Sequence, residues 1–163
     1  MTKKLQGEIL QTTDKILELL GFRAEVRVNV LDEQILVEIT TEPAGLLIGR
    51  QGQNLQAMER ILQVAFHSEK SLADKIITVD VGGFRQKRQL QLAATTDSVI
   101  KEVLATGKAQ TLTGLTAAER RTVHLKVGQN PNLLSESTGE GPNRVLIISV
   151  VLQKPDSDIK PKP

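Results

Sequence analysis

The stretch of sequence that decides the fold reads PAGLLIGRQGQNLQAM and covers residues 43–58. Within it, Gly49-Arg50-Gln51-Gly52 joins a short apolar turn, Ala44–Ile48, to an amphipathic segment. Glycine permits backbone angles that other residues resist, and without a Cβ it lets another chain approach closely. The amides at the start of the next helix point into this gap, where the helix dipole favours an anion. With the positive charge of Arg50, the spacing predicts a slot for a phosphodiester backbone.

This motif has two other interpretations. A nucleotide-binding P-loop is excluded, because it requires Gly, four residues and then Gly-Lys-Ser/Thr, whereas Gln53-Asn54 follows Gly52. A tight turn between two helices is the alternative for a Gly-x-x-Gly sequence taken alone. We expect the loop to be exposed, so that Gly52→Asp would repel phosphate without unfolding the chain.

The segments around this loop predict mixed helices and strands. Residues 3–20 are expected to form an amphipathic helix that Gly21 ends, and its apolar face is assigned to Leu5, Ile9, Ile16 and Leu20. Arg23–Leu31 and Gln34–Thr41 alternate apolar and polar residues, which predicts a hairpin with one buried face.

The helix after the loop has apolar residues at helical spacing, namely Leu55, Met58, Ile61, Leu62, Ala65 and Phe66. Lys75–Val81 is rich in β-branched residues and predicts a third strand, which stops at Gly82-Gly83. The predicted order is therefore helix, strand, strand, helix, helix, strand.

The second half predicts another set of elements. A long polar helix runs from Gly83 to about Thr106 and ends at Gly107. Ala109–Leu112 is a candidate strand, and Thr116 with Glu119 forms a capping box for a helix whose body holds Val123, Leu125 and Val127. Strands are predicted at Leu133–Ser137 and Arg144–Leu152, and residues 154–163 are predicted to be a disordered tail.

The predicted second-half helix carries a second candidate site. Arg120 and His124 are four residues apart and therefore share a helix face. Arginine can fork onto phosphate oxygens, and a histidine ring can also stack on a base. Taken alone, the Arg-x-x-x-His spacing is more typical of a solvated helix face.

These motifs and their order resemble a known family. Residues 3–82, with Ile48-Gly49-Arg50-Gln51-Gly52, resemble a type II KH domain, in which a Gly-x-x-Gly loop clamps about four nucleotides of a single strand. Residues 83–152 resemble the single-strand-binding domain named for Arg and His separated by three residues, on the strength of Gly83-Phe84-Arg85, Glu119–His124 and the loop 135–142. Together they resemble the Jag family of bacterial RNA-binding regulators linked to cell elongation, cell shape and envelope biogenesis.

The resemblance implies an α+β protein of two small domains, a type II KH domain at 1–82 and an R-x-x-x-H domain at 83–153, followed by the tail at 154–163. It implies single-stranded RNA as the partner, with single-stranded DNA as an alternative. The residues assigned to RNA are Ile48, Gly49, Arg50, Gln51, Gly52, Gln53, Arg85, Lys87, Arg88, Arg120, Arg121 and His124. For Arg85, Lys87 and Arg88, a solvated helix face is the alternative.

This sequence departs from the family pattern in two places. Many KH loops carry two basic residues between the glycines, whereas the second position here is Gln51. Longer family members begin with an extra amino-terminal domain, whereas this chain begins at the first predicted KH helix. An alternative function is a protein adaptor that pairs with a small KH-only protein or with itself and binds little RNA.

Composition excludes several function classes. The chain has no Cys, Trp or Tyr, and it has three Phe and two His, so we expect no thiolate or histidine metal centre, no cofactor and no catalytic residues. Base stacking on aromatic sheets is excluded for the same reason. Residues 1–82 carry a net charge of −3 and residues 83–163 one of +5, which favours a polyanion partner for the second half. No apolar run approaches the ~18 residues of a membrane span, and we expect a cytoplasmic protein.

Overall fold

The computed structural model describes residues 3–69, 72 and 75–151, except for the side chain of Pro142. Contacts between residues divide the chain into two compact units, Met1–Gln89 and Leu90–Pro163. Both units combine helices with a small sheet, which confirms the predicted α+β class. The predicted disordered tail at 154–163 lies outside the described residues.

The first unit is a three-stranded sheet covered by helices. Its elements are α1 (Lys3–Leu19), β1 (Ala24–Val30), β2 (Gln34–Thr41), α2 (Ala44–Ile48), a 3₁₀ turn (Arg50–Gly52), α3 (Gln53–Ala65), β3 (Ile76–Val81) and the start of α4 (Phe84–Thr106). Strand β2 lies in the centre, antiparallel to β1 and parallel to β3. The predicted hairpin is confirmed, and Leu31 N donates to Gln34 O across its turn at 2.8 Å.

Alternation along the central strand builds the core of this unit. Ile35, Val37 and Ile39 are completely or almost completely buried, because every second side chain of a strand points to the same face. Leu55, Met58, Leu62 and Phe66 of the segment after the loop join this core, as predicted. The helical spacing assigns Ile61 to the same buried face, but its side chain is 52% exposed.

The buried face of α1 also differs from the prediction. Leu5 and Ile9 are buried, but the face continues through Thr13 and Leu17. The Thr13 hydroxyl donates to Ile9 O at 2.8 Å, which satisfies this polar group inside the core. Leu20 lies beyond the last residue of α1 and is 59% exposed, so the helical spacing no longer applies to it.

The second unit is a helix pair with an antiparallel sheet. It contains the rest of α4, then β4 (Gln110–Leu112), α5 (Ala117–Val127), β5 (Leu133–Thr138), a 3₁₀ turn (Gly141–Asn143) and β6 (Val145–Val150). The strand order is β4-β6-β5. Its core consists of Val103, Leu112, Leu115, Val123, Val127, Leu133, Leu146 and Ile148.

Helix α5 is the element that positions the second candidate site. The capping box is confirmed: Glu119 N donates to Thr116 Oγ1 at 3.2 Å, and Thr116 N donates to Glu119 Oε2 at 2.8 Å. Val123 and Val127 are buried as predicted, whereas Leu125 is 64% exposed. Positions 123 and 127 share a helix face, and position 125 points to the other side.

Candidate nucleic-acid interface

The loop between α2 and α3 has a backbone that requires its glycines. Gly49, Gln51 and Gly52 all have positive φ, at 70°, 57° and 80°. Gly49 N donates to Gly45 O at 3.0 Å and closes α2, and Gly52 N donates to Gly49 O at 3.4 Å. A left-handed conformation at the non-glycine Gln51 is unfavourable, so the surrounding structure must hold it in place. We call residues 48–53 the loop surface.

Asn54 supports this loop and carries no signal that the motif analysis recognises. Its Nδ2 donates to Leu46 O at 2.8 Å, which satisfies a carbonyl at the end of α2. A Cβ on Gly49 would lie 2.5 Å from Asn54 Cγ, so no larger residue fits at position 49 without moving this amide. A polar side chain one residue into the helix is the available signal, since helix ends leave carbonyls without partners.

Exposure across the loop surface is uneven. Arg50 and Gln53 are exposed, whereas Ile48, Gly49 and Gln51 are half-buried. Gly52 is buried, and a Cβ there would lie 3.0 Å from Phe84 Cε1. The expectation that an Asp at position 52 would point into solvent is therefore wrong, because the space beside Gly52 is filled by an aromatic ring.

The three basic residues at the start of α4 have different surroundings. Arg85 Nε donates to Val79 O at 3.0 Å, and its Nη2 pairs with Glu59 of α3. Lys87 is exposed, and its Nζ donates to Gly82 O at 2.9 Å. Arg88 is half-buried.

Arg120 and His124 lie together in a groove of the second unit, on the shared helix face that their spacing predicts. The groove has a volume of about 380 Å³ and is lined by Ala117, Arg120, Arg121, His124, Leu125, Ser137 and Arg144. We call it the arginine groove. Arg120 Nη1 donates to Leu115 O at 2.6 Å, which holds the guanidinium at the start of α5.

Two serines of β5 hold the His124 ring. Its Nδ1 lies 2.7 Å from Ser135 Oγ, and its Nε2 lies 2.8 Å from Ser137 Oγ. In neutral imidazole one nitrogen donates and the other accepts, and a serine hydroxyl can do either. Both ring nitrogens therefore have partners, and the ring orientation is fixed by the strand.

Sequence reasoning misses Arg144, Ser135 and Ser137 as members of this site. Arg144 directly precedes β6, and the serines occupy alternate positions of β5, so only the folded sheet brings them to α5. The alternation Ser135-Glu136-Ser137 is the available signal, because alternate residues of a strand share a face.

The comparison with protein families identifies the second unit. Residues 90–150 match the model of the R-x-x-x-H domain, which is named for an Arg and a His with three residues between them. The chain is also similar to RNA-binding protein KhpB of Bacillus subtilis (strain 168), with 34% identity over 136 residues, 82% of this chain and 65% of that protein. The chain is a Jag-family protein with an R-x-x-x-H domain.

Further relatives of this Jag-family chain carry the same name. RNA-binding protein KhpB of Lactiplantibacillus plantarum is 27% identical over 131 residues, which are 80% of this chain and 40% of that protein. RNA-binding protein KhpB of Clostridium symbiosum is 24% identical over 149 residues, which are 90% of this chain and 66% of that protein. The chain thus spans 40% to 66% of the length of these three relatives.

The rest of the described chain offers little other chemistry. In the described ranges, no group of three or more His, Asp or Glu side chains could hold a metal ion. None of the described helices is long and apolar enough to cross a membrane. Two exposed ion pairs on α1 and β1 shift pKa values: a hydrogen bond from Lys15 lowers the pKa of Glu18, and one to Glu25 raises the pKa of Arg27.

Proposed function

We propose that this Jag-family chain binds single-stranded RNA through the loop surface and the arginine groove. The observation that carries the proposal is the convergence of Arg120, Arg121 and Arg144 on one groove, with no acidic residue among the described residues that line it. Arginine presents donors in a fixed fork that matches phosphate oxygens. Arg120 and Arg121 come from α5 and Arg144 from the start of β6, so their heads approach a bound phosphate from different directions.

The apolar part of the groove suits the rest of a nucleotide. Leu125 is 64% exposed beside these guanidinium groups, and Ala117 lines the same groove. Apolar contact with a base or a sugar would remove the leucine side chain from water. The His124 ring, fixed by its serines, adds a flat polar surface to the same groove.

For the first unit we propose the finer assignment to a type II KH domain within residues 1–82. The order α-β-β-α-α-β and the Gly-x-x-Gly loop between α2 and α3 support it. Gly52 precedes α3 and has no side chain to cap it, which leaves the helix start to an anion. Arg50 is exposed next to this position and would meet the phosphate backbone.

We assign no direct RNA contact to Arg85, because its guanidinium already pairs with Glu59 and Val79 O. Lys87 and Arg88 remain in the proposal as residues that extend the basic surface of the first unit. The domain boundaries at 1–82 and 83–153, the RNA-binding residues, the absence of catalysis and the cytoplasmic location likewise remain proposals. A regulator of messenger RNA linked to cell elongation is the biological role that the resemblance suggests.

The test is fluorescence anisotropy of the full chain with a labelled single-stranded RNA of mixed sequence and about ten nucleotides, longer than the four that a KH loop clamps. Arg144→Ala is expected to weaken binding by roughly three- to tenfold. Lys108→Ala is the matched control, because it removes one exposed positive charge from the same unit outside the groove. Equal affinities for wild type and both variants would contradict the assignment. Unlabelled single-stranded DNA as competitor distinguishes RNA from DNA binding.

A second candidate function is an adaptor that pairs with another KH protein or with itself. Ile61 and Val64 are 52% and 59% exposed, and their spacing of three residues places them on one face of α3. Size-exclusion chromatography with light scattering tests self-association, and Ile61→Lys is expected to abolish it. A monomer at all concentrations that also binds RNA would rule out self-pairing as the main role.

A further inference from the structure

The first turn of α4 lies directly against the loop surface within the first unit. Phe84, the first residue of α4, packs on the core of this unit. Its ring occupies the space that a side chain at position 52 would need, with Cε1 at 3.0 Å and Cζ at 3.7 Å from a Cβ placed there. The sequence analysis assigns Phe84 only to the opening of the second domain.

A set of polar contacts fixes this first turn to the sheet and to α3. Arg85 N donates to Asp80 Oδ1 at 3.1 Å, and Arg85 Nε donates to Val79 O at 3.0 Å. Glu59 of α3 pairs with Arg85 and also accepts from Val79 N at 2.8 Å. The Glu59 side chain is only 16% exposed, so this ion pair is more strongly held than a surface pair.

We infer that Phe84 and Arg85 are positioning residues that hold the loop surface in its RNA-binding conformation, an inference that rests on the proposed function. The loop contains a left-handed Gln51 between two glycines with positive φ. Such a backbone persists only where its surroundings determine it, and glycines lose the most conformational freedom when they are held. Asn54 fixes the loop at Gly49, and the Phe84 ring fixes it at Gly52.

A consequence follows for the extent of the functional unit. The loop lies within residues 1–82, but one of its two supports begins at residue 84. The ring and the Arg85 contacts therefore belong functionally to the first unit, although they lie on the helix that continues into the second.

The test compares the same substitution at two phenylalanines of one core. Phe84→Leu removes the ring beside Gly52, and Phe66→Leu is the matched control, since Phe66 is 8% exposed and lies at the opposite end of α3. Both variants of the full chain are checked by circular dichroism and thermal unfolding. Affinity for the mixed-sequence RNA is expected to fall roughly three- to tenfold with Phe84→Leu and to stay near the wild-type value with Phe66→Leu.

A second measurement reads the loop without RNA. Amide hydrogen exchange by NMR at Gly49–Gly52 is expected to accelerate in Phe84→Leu and to remain unchanged in Phe66→Leu. Equal exchange at these amides in both variants would overturn the inference. If the wild-type chain binds no RNA, the proposed function fails, and loop exchange alone still decides whether Phe84 supports the loop.

A charge comparison separates positioning from direct contact at Arg85. Arg85→Ala and Lys87→Ala each remove one positive charge from the same helical turn. Arg85→Ala is expected to weaken RNA binding with the salt dependence of log Kd unchanged, because Arg85 would act through the loop and not on a phosphate. A salt slope reduced by about 0.7, the value of one phosphate contact on a single strand, would show direct contact and overturn the positioning role.

Discussion

The two proposed RNA-binding surfaces are built from different parts of the chain. The loop surface consists mainly of backbone, with three residues at positive φ and one exposed arginine. The arginine groove consists of side chains, with three guanidinium groups and a histidine ring among those from α5, β5 and the start of β6. The loop therefore depends on packing, whereas the groove depends on charge.

This difference predicts different responses to mutation. A backbone site fails when a neighbouring contact changes the loop conformation, even if no charge is lost. A side-chain site loses affinity in steps, one guanidinium at a time, and each step changes the dependence on salt. The predictions below use that contrast.

The largest effect is expected for Gly49→Ala. The new Cβ would lie 2.5 Å from Asn54 Cγ at a residue with φ of +70°, so both the loop and its Asn54 support must shift. We expect a loss of stability on the order of 1–3 kcal/mol and a loss of RNA affinity of roughly tenfold. Urea unfolding and anisotropy measure the two quantities.

Gly45→Ala is the matched control for this substitution. Gly45 lies in α2 with ordinary backbone angles, and a Cβ there meets nothing within 4 Å. Alanine at such a position stabilises by about 0.4–1 kcal/mol and should leave affinity unchanged. If the two variants bind RNA equally well, the backbone account of the loop surface is wrong.

Arginine substitutions in the groove are expected to come next in size. Arg120→Ala and Arg144→Ala should each reduce the slope of log Kd against log salt by about 0.7. Gly49→Ala should weaken binding at all salt concentrations by a more even factor. A salt series from low to high ionic strength for these variants and Lys108→Ala tests the comparison directly, and identical slopes would remove the distinction between the surfaces.

The histidine should have a smaller effect than the arginines. His124 is counted as neutral at pH 7, so His124→Ala should lower affinity with little change in the salt slope. Ser135→Ala and Ser137→Ala each remove one of the two partners that hold the ring, and each should weaken binding less than His124→Ala does. Combined with His124→Ala, either serine substitution should have almost no further effect; full additivity would contradict the proposed support.

The smallest effect on binding is expected for Thr116→Ala. Loss of the capping box should destabilise the second unit by about 1 kcal/mol while affinity at low temperature stays close to wild type. Thr122→Ala in the same helix is the control, because its exposed hydroxyl only donates to Ala118 O. Thermal unfolding separates the two variants, and a loss of affinity without a loss of stability in Thr116→Ala would place Thr116 in the binding site.

Local sequence patterns predict the local parts of this structure. The bounds of β2, the capping box of α5 and the shared face of Arg120 and His124 depend on neighbours a few residues away. Spacing rules therefore suffice for them.

Contacts between distant segments cannot be read in this way. Gly52 is buried by Phe84, and Arg144 joins the groove through the pairing of β5 with β6. The prediction for Leu125 is wrong for a different reason: the apolar residues at 123, 125 and 127 follow a strand period, whereas the segment is a helix. The same packing that buries Gly52 also changes the expectation for Gly52→Asp, which should now destabilise the first unit as well as weaken RNA binding.

The central claim is that one single-stranded RNA engages both surfaces of the chain. An NMR titration of the ¹⁵N-labelled full chain with the mixed-sequence RNA tests it most directly. The account predicts simultaneous shifts of backbone amides at Gly49–Gln53 and at Arg120, His124 and Ser137, while amides of α1 remain unperturbed. Shifts at only one surface, or shifts concentrated at the exposed face of α3 around Ile61 and Val64, would contradict it.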